Sequence, residues 1–346
     1  MILGRFTKKL GLTFYSVLRM PIKDILYCAA VAEKNGFGYV TVAESFYRDG
    51  FALASAIAEN TRKVKFGTSV MPIYTRTPFQ LAMGTTTLNE ISGGRVGFLG
   101  LGIGYSGRTE QYFGVVQSDK IQRMKEYVEI VRNLLSGAEA SFHGKFFNFD
   151  GFPRLTKDPL NIPIFFGSSG PRMLTLAGQI GDGVILNSIS TPEYVEFARE
   201  RIAAGAREAG RNPSEIKVGH SIIYSIAESH EKAANAARED ILFYLSYPEL
   251  DPVIDRSPFK FEALKIRELY VRGRRKEALS LITEEMLDTF AVYGTARECR
   301  QRLERFLKRG ITLPIIRVSS SSYKENEMRW VYLKAINSLA HFSPAG

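Results

Sequence analysis

Apolar, β-branched segments at 9–16, 39–45, 64–74, 95–103, 162–168, 183–188, 216–227 and 313–319 recur along this chain, and each is separated from the next by helical periodicity. Helices are predicted at 21–36, 49–60, 78–92, 118–136, 170–180, 192–209 and 296–309. The first, "PIKDILYCAAVAEKNG", has the punctuation of a complete helix, with Pro21 at its start and Gly36 at its end. Adjacent strands joined through a helix run parallel, because the crossover returns the chain to the same end of the sheet. Eight of them in succession predict a closed parallel barrel, the α/β (β/α)8 or TIM-barrel architecture, as one domain over residues 1–346.

A doubly wound sheet shows the same alternation, and "GLGIGYSG" (100–107) superficially offers its phosphate-binding turn. Gly102, Gly104 and Gly107 match the spacing, but the next helix is predicted only from 118 and no acidic residue ends a following strand. The signature lacks its context. Two insertions interrupt the barrel pattern. "SFHGKFFNFDGF" (141–152) is aromatic, with Gly144 and Gly151 as turn signals, and predicts a small hairpin. Residues 230–295 have helical composition around the irregular "SYPELDPVIDRSPF" (246–259) and are expected to cover the site.

Composition excludes several classes. Disorder is ruled out by 45% hydrophobic residues with no biased tract, and no apolar run reaches the roughly 18 residues that span a bilayer. The N-terminus has neither the apolar core nor the cleavage site of a signal peptide, so a cytoplasmic location without membrane contact is expected. Cys28 and Cys299 are far apart with no Cys-x-x-Cys spacing, which predicts plain thiols and no metal site. A formal charge of +10 invites an acidic partner, but the cations alternate with acids, as in "RECRQRLERFLKRG" (297–310), and form no nucleic-acid tract.

Two short stretches break the rules of their own elements. "FGTSVMPIY" (66–74) reads as a buried strand, yet Gly67 weakens it and Pro72 cannot donate to a ladder. "FFGSSGPRM" (165–173) leaves a strand through Gly167, Ser168, Ser169 and Gly170 into a helix with Pro171 in its first turn. Such a turn gathers backbone N–H groups and hydroxyls at the positive end of a helix, where a phosphate binds; a tight turn with a serine cap has the same composition.

The span 66–104 together with "IPIFFGSSGPRMLTLAGQIGDGVILNS" (162–188) and "MLDTFAVYGTARECRQRLERFLKRGI" (286–311) resembles the bacterial luciferase-like superfamily of flavin- and deazaflavin-dependent oxidoreductases. The likeness is greatest to the branch that contains methylenetetrahydromethanopterin reductase, and it extends over nearly the whole chain. The resemblance implies a barrel with an insertion, and a third strand whose bulge carries a non-prolyl cis peptide, here Ser69–Val70, with the backbone of Ser69, Val70 and Met71 behind the cofactor ring. It implies that Gly102, Ile103 and Gly104 line the cofactor cleft, and that Gly167, Ser168, Ser169, Gly170 and Arg172 hold an anionic tail, with Arg108 nearby. Glu44, at the end of the second strand, is the candidate catalytic carboxylate, a salt-bridged structural role being the alternative. Phe14, Tyr15, Phe46, Tyr47, Met286 and Phe290 are expected to wall an apolar substrate cleft, since flat rings need flat apolar contacts.

Three departures from relatives bear on chemistry. Ser45 stands where many relatives have His, Thr13 where several have a carboxylate, and Tyr105 where some sugar-phosphate-oxidising relatives have an acid. Oxidising an alcohol requires a base, whereas hydride delivery to an activated C=N carbon does not. The resemblance therefore implies hydride transfer between coenzyme F420 and a small organic substrate, by a homodimer or higher homo-oligomer. An FMN-dependent two-component monooxygenase is the alternative, and a non-enzymatic binding protein the third reading.

Overall fold

The computed structural model describes residues 9–14, 20–44 and 47–342. Its strands are β1 (Gly11–Thr13), β2 (Tyr39–Val42), β3 (Lys65–Thr68), β4 (Met71–Pro72), β5 (Val96–Gly102), β6 (Ala140–His143), β7 (Asn148–Phe152), β8 (Ile164–Gly167), β9 (Gly183–Leu186), β10 (Lys217–Ile226), β11 (Ala291–Gly294) and β12 (Leu313–Val318). The helices between them are α1 (Ile22–Lys34), α2 (Gly50–Glu59), α3 (Pro78–Ile91), α4 (Ser106–Phe113), α5 (Lys120–Leu134), α6 (Pro171–Ile180) and α7 (Pro192–Glu208). After β10 come α8 (His230–Leu245), α9 (Asp251–Ile254), α10 (Lys260–Val271), α11 (Arg275–Ser280), α12 (Glu284–Phe290), α13 (Ala296–Leu307) and, last, α14 (Glu325–Ser338).

β1, β2, β3, β5, β8, β9, β10 and β12 pair in that order, all parallel, and β12 pairs back onto β1. The sheet closes on itself, so the chain forms the eight-stranded TIM barrel and not a doubly wound sheet. Helices start where their sequences supply caps. Thr77 and Gln80 form a capping box ahead of Pro78 in α3, Asp49 accepts from the Ala52 amide at α2, and Thr295 and Glu298 box α13. Both faces of most barrel strands are buried, one by helices and one by the barrel interior. The hairpin β6–β7 pairs antiparallel. Among the described residues no helix is long and apolar enough to cross a membrane.

The barrel interior is plugged near its amino end by Tyr39, Phe98, Phe165, Ile185, Leu313 and Ile315. Phe98 stacks on Phe165 with centroids 4.7 Å apart. This plug explains Gly67: a Cβ there would stand 2.1 Å from Phe98 Cζ, so only glycine admits the ring. The strand read as continuous over 64–74 divides into β3 and β4. At the break the Thr68 hydroxyl turns onto β5, where Oγ1 donates to the Gly100 carbonyl at 2.9 Å and accepts from the Gly100 amide at 2.8 Å. The register of β3 on β5 shifts beside it, and the Ser69–Val70 peptide bond is cis.

Two further readings of the sequence are corrected. Residues 291–294 belong to a strand, β11, which extends the sheet by pairing with the outer half of β10, Ile223–Ile226. Residues 106–113 form helix α4, an element the turn-like glycines had masked. Cys28 and Cys299 are both buried, free thiols.

Two stability effects follow from this packing. Gly67→Ala is expected to lower stability by about 1–3 kcal/mol in denaturant titrations, the range for overpacking a core, with Phe98→Leu recovering part of the loss when combined with it. His220 on β10 is fully buried, and burial, reinforced by Arg309, holds its imidazole down at about 3. Its folded pKa is depressed, so its contribution is complete above the unfolded value and is lost as pH falls through the window from 6.5 to about 3. Unfolding titrations of His220→Gln at pH 7 and pH 4 are expected to differ less than those of the unaltered chain.

Candidate active site

Strand order within the barrel brings the carboxyl ends of all eight strands to one rim, and a cavity of about 1040 Å³ opens there. Its floor is Val70. The side chain of Val70 lies against two strands at positions with no side chain: a Cβ on Gly102 would stand 2.6 Å from Val70 Cγ2, and one on Gly167 would stand 2.7 Å from Val70 Cγ1. Ser69 is anchored below, its amide donating to Val42 O at 2.8 Å and its hydroxyl to Thr41 Oγ1 at 3.1 Å. The floor is thus a small apolar platform between glycines, with room for a flat ring above it.

At one end of the cavity the turn 167–170 enters α6. This helix starts at Gly170 without a side-chain cap among the described residues, which leaves first-turn amides open to a ligand. Apart from its chain neighbours, no atom of the described residues lies within 4 Å of where a Cβ on Gly170 would stand, and Gly170 lines the cavity. Ser169 is committed elsewhere, its hydroxyl donating to Glu249 O at 3.1 Å and its carbonyl accepting from Tyr194 Oη at 2.6 Å. Arg108, Lys120 and Arg172 line the same end. The nearby Asp119 carboxylate is hydrogen-bonded by Lys145, which holds it below the usual carboxylate range. Cations therefore dominate this end.

Glu44 lines the cavity at the tip of β2, but both of its oxygens are taken up. Arg76 Nε donates to Oε1 and Oε2 at 2.7 Å each, and Arg76 also pairs with Asp49. Burial opposes the charge on Arg76, yet Glu44 and Asp49 outweigh it and hold the guanidinium above its ordinary value. Glu44 is thereby a cavity-wall residue whose charge is paired with that of Arg76. Arg76 itself escaped the sequence reading; its place in a loop just after a barrel strand was the available signal.

The structure gathers Glu44, Tyr47, Ser69, Val70, Gly102, Ile103, Gly104, Gly167, Ser168, Ser169, Gly170 and Arg172 around this one cavity. Four expected residues turn their side chains elsewhere, Met71 being expected to contribute its backbone alone. Met71 turns away from the cavity toward Gly50, because side chains alternate along the strand. Phe14 alternates with inward-facing Thr13 and stacks on Tyr332 of α14, centroids 5.4 Å apart. Met286 and Phe290 are on the buried face of α12, Phe290 edge-on to Phe259. All four serve the core. Tyr15, Ser45 and Phe46 lie outside the described residues. The insertion supplies Tyr244, Pro248, Glu249 and Leu250 instead. Tyr247 stacks on Tyr105 at 4.0 Å, and Glu249 Oε1 accepts from the Ser106 amide and hydroxyl at 2.9 Å each. These contacts fasten the insertion to the start of α4 and to the β8–α6 turn.

A profile of the luciferase-like monooxygenase family matches residues 5–313. The chain belongs to this family. It is 33% identical to a 5,10-methylenetetrahydromethanopterin reductase of Methanolobus tindarius over 84% of this chain and 89% of that protein, and 32% identical to the protein of that name from Archaeoglobus fulgidus, over 88% and 91%. The solved coenzyme F420 dependent tetrahydromethanopterin reductase of Methanopyrus kandleri superposes with a TM-score of 0.80 at 25% identity, covering 96% of this chain and 99% of that one. The chain is an oxidoreductase of this fold.

The Arg76–Glu44 pair is expected to show a coupling of about 1–2 kcal/mol in a double-mutant cycle of Arg76→Gln and Glu44→Gln, a value reduced for partial exposure. Arg76→Lys is expected to lose most of it, since an ammonium cannot engage both oxygens in a planar fork.

Proposed function

We propose that this chain is a coenzyme F420-dependent reductase that exchanges hydride with a small organic substrate of the methylene-pterin type. The observation that carries the reading is the joining, in one cavity, of a glycine-flanked floor at Val70 with an uncapped helix start and cations at 167–172. A flat ring fits the first, and an anionic phosphate tail fits the second. The two reductases at 33% and 32% identity support the same assignment.

When bound in reduced form, the deazaflavin supplies hydride and reacts poorly with oxygen. The chain's own part is positioning. Val70 supports the ring from behind, the α6 amides and Ser168 hold the tail phosphate, and Arg108 and Arg172 attract the remaining negative charge. Arg76 and Glu44 keep the β2 tip in place beside the ring. No free acid stands at Thr13 or Tyr105, which suits delivery of hydride to an already activated carbon and not the deprotonation of an alcohol.

Fluorescence titration is expected to show micromolar or tighter binding of coenzyme F420, weakening as salt rises because part of the attraction is between exposed charges. Ser168→Asp is expected to abolish it, since a carboxylate at the helix start repels the phosphate. FMN is titrated in parallel. Clear preference for FMN with substrate-dependent oxygen uptake would reassign the chain to the monooxygenases.

A further inference from the structure

The two sides of the cavity differ in chemistry. β5 and β8 present glycines, whereas β2, β1 and β12 carry Thr41, Thr13 and Arg317 at one level, Thr13 being the register partner of both others. Side chains at matched positions of parallel neighbours point to the same face, so these three form a polar arc across from the glycines. Thr41 is occupied by the Ser69 hydroxyl. Arg317 Nη1 lies 3.0 Å from Asp240 Oδ2 of α8, and the other oxygen of Asp240 accepts from Ser321 at 2.8 Å. With the two side chains only 3% and 0% exposed, the pair is neutral as a unit.

Thr13 has no such arrangement. It is 1% exposed and lines the cavity, yet its Oγ1 has no hydrogen-bond partner among the described residues. A buried hydroxyl left unpaired is costly, so its presence at a cavity wall calls for a ligand atom. We propose that the Thr13 hydroxyl, beside Arg317, donates to a neutral oxo group of the organic substrate, the carbonyl oxygen of a lactam or amide.

Charge decides for a neutral group. Asp240 cancels the attraction of Arg317 for an anion, and a carboxylate entering this end gives up its hydration for little return. A carbonyl oxygen loses far less water and meets a waiting donor. Tyr244, over whose ring the Arg317 guanidinium lies at 5.0 Å, and Met328 border the same end and offer a planar heterocycle apolar contact. The inference rests on the reading that the substrate is pterin-like, and it concerns the substrate, not the cofactor.

The test compares, by their own fluorescence, the binding of 6-methylpterin and 2,4-diamino-6-methylpteridine to the full chain without cofactor. In the second compound an amino group replaces the lactam oxygen. The unaltered chain is expected to prefer the lactam by ~10-fold or more, Thr13→Val to lose most of that preference, and Thr13→Ser to keep it. Thr13→Ala repeats the measurement should melting curves show that valine disturbs the barrel. Equal binding of both compounds to the unaltered chain, or a preference that survives loss of the hydroxyl, overturns the assignment. Weakened coenzyme F420 binding in Thr13→Val with lactam preference intact also overturns it, since the hydroxyl would then serve the cofactor. Absence of coenzyme F420 binding together with a Thr13-dependent lactam preference removes the proposed activity and leaves this recognition standing.

Discussion

The contact of Val70 with the bare backbones of β5 and β8 is what the rest of the site depends on. Gly102 and Gly167 let the valine methyl groups approach to distances that any other residue would close off. The same contact separates two regions of the barrel interior. Below it the aromatic plug of Tyr39, Phe98 and Phe165 is buried and close-packed; above it the cavity begins. Thr68 and Ser69 hold the interrupted strand in place through side-chain hydrogen bonds to β5 and β2, so the floor is fixed from two neighbouring strands.

Around that floor the cavity is polarised. One end combines the open start of α6 with Arg108, Lys120 and Arg172, and suits an anion. The opposite arc carries polar side chains whose charges cancel internally. Between them Glu44 and Arg76 neutralise each other at the β2 tip. An elongated ligand with a charged tail and a flat, neutral head matches this distribution, and the cost of withdrawing its head from water is kept low where no net charge faces it.

The insertion between β10 and β12 completes the enclosure. Its helices α8 and α12 pack their apolar faces into the main core, while the segment around Tyr247 and Glu249 reaches across to α4 and to the β8–α6 turn. Glu249 joins the two with one residue, its carboxylate capping α4 and its carbonyl taking the Ser169 hydroxyl. The buried Arg317–Asp240 pair ties the same insertion to the barrel wall. The insertion and the α6 end of the cavity are therefore mechanically connected.

By itself the sequence determined the alternation, and with it the barrel, because strand and helix periods are local and eight crossovers leave few ways to close. It also marked the two unusual stretches, 66–74 and 165–173, since glycine and proline announce departures from regular backbone wherever they stand. The tertiary structure decided which side chains face the cavity. Thr13 and Phe14, or Val70 and Met71, are neighbours in sequence with opposite fates, and only the pleat, once its phase is set by the closed sheet, separates them. Met286 and Phe290 were equally apolar in sequence whether they faced ligand or core; the packing of α12 placed them in the core. The ion pairs of Glu44 with Arg76 and of Arg317 with Asp240 join residues 32 and 77 positions apart. Such pairings are invisible to local patterns because they exist only after distant strand ends meet at one rim.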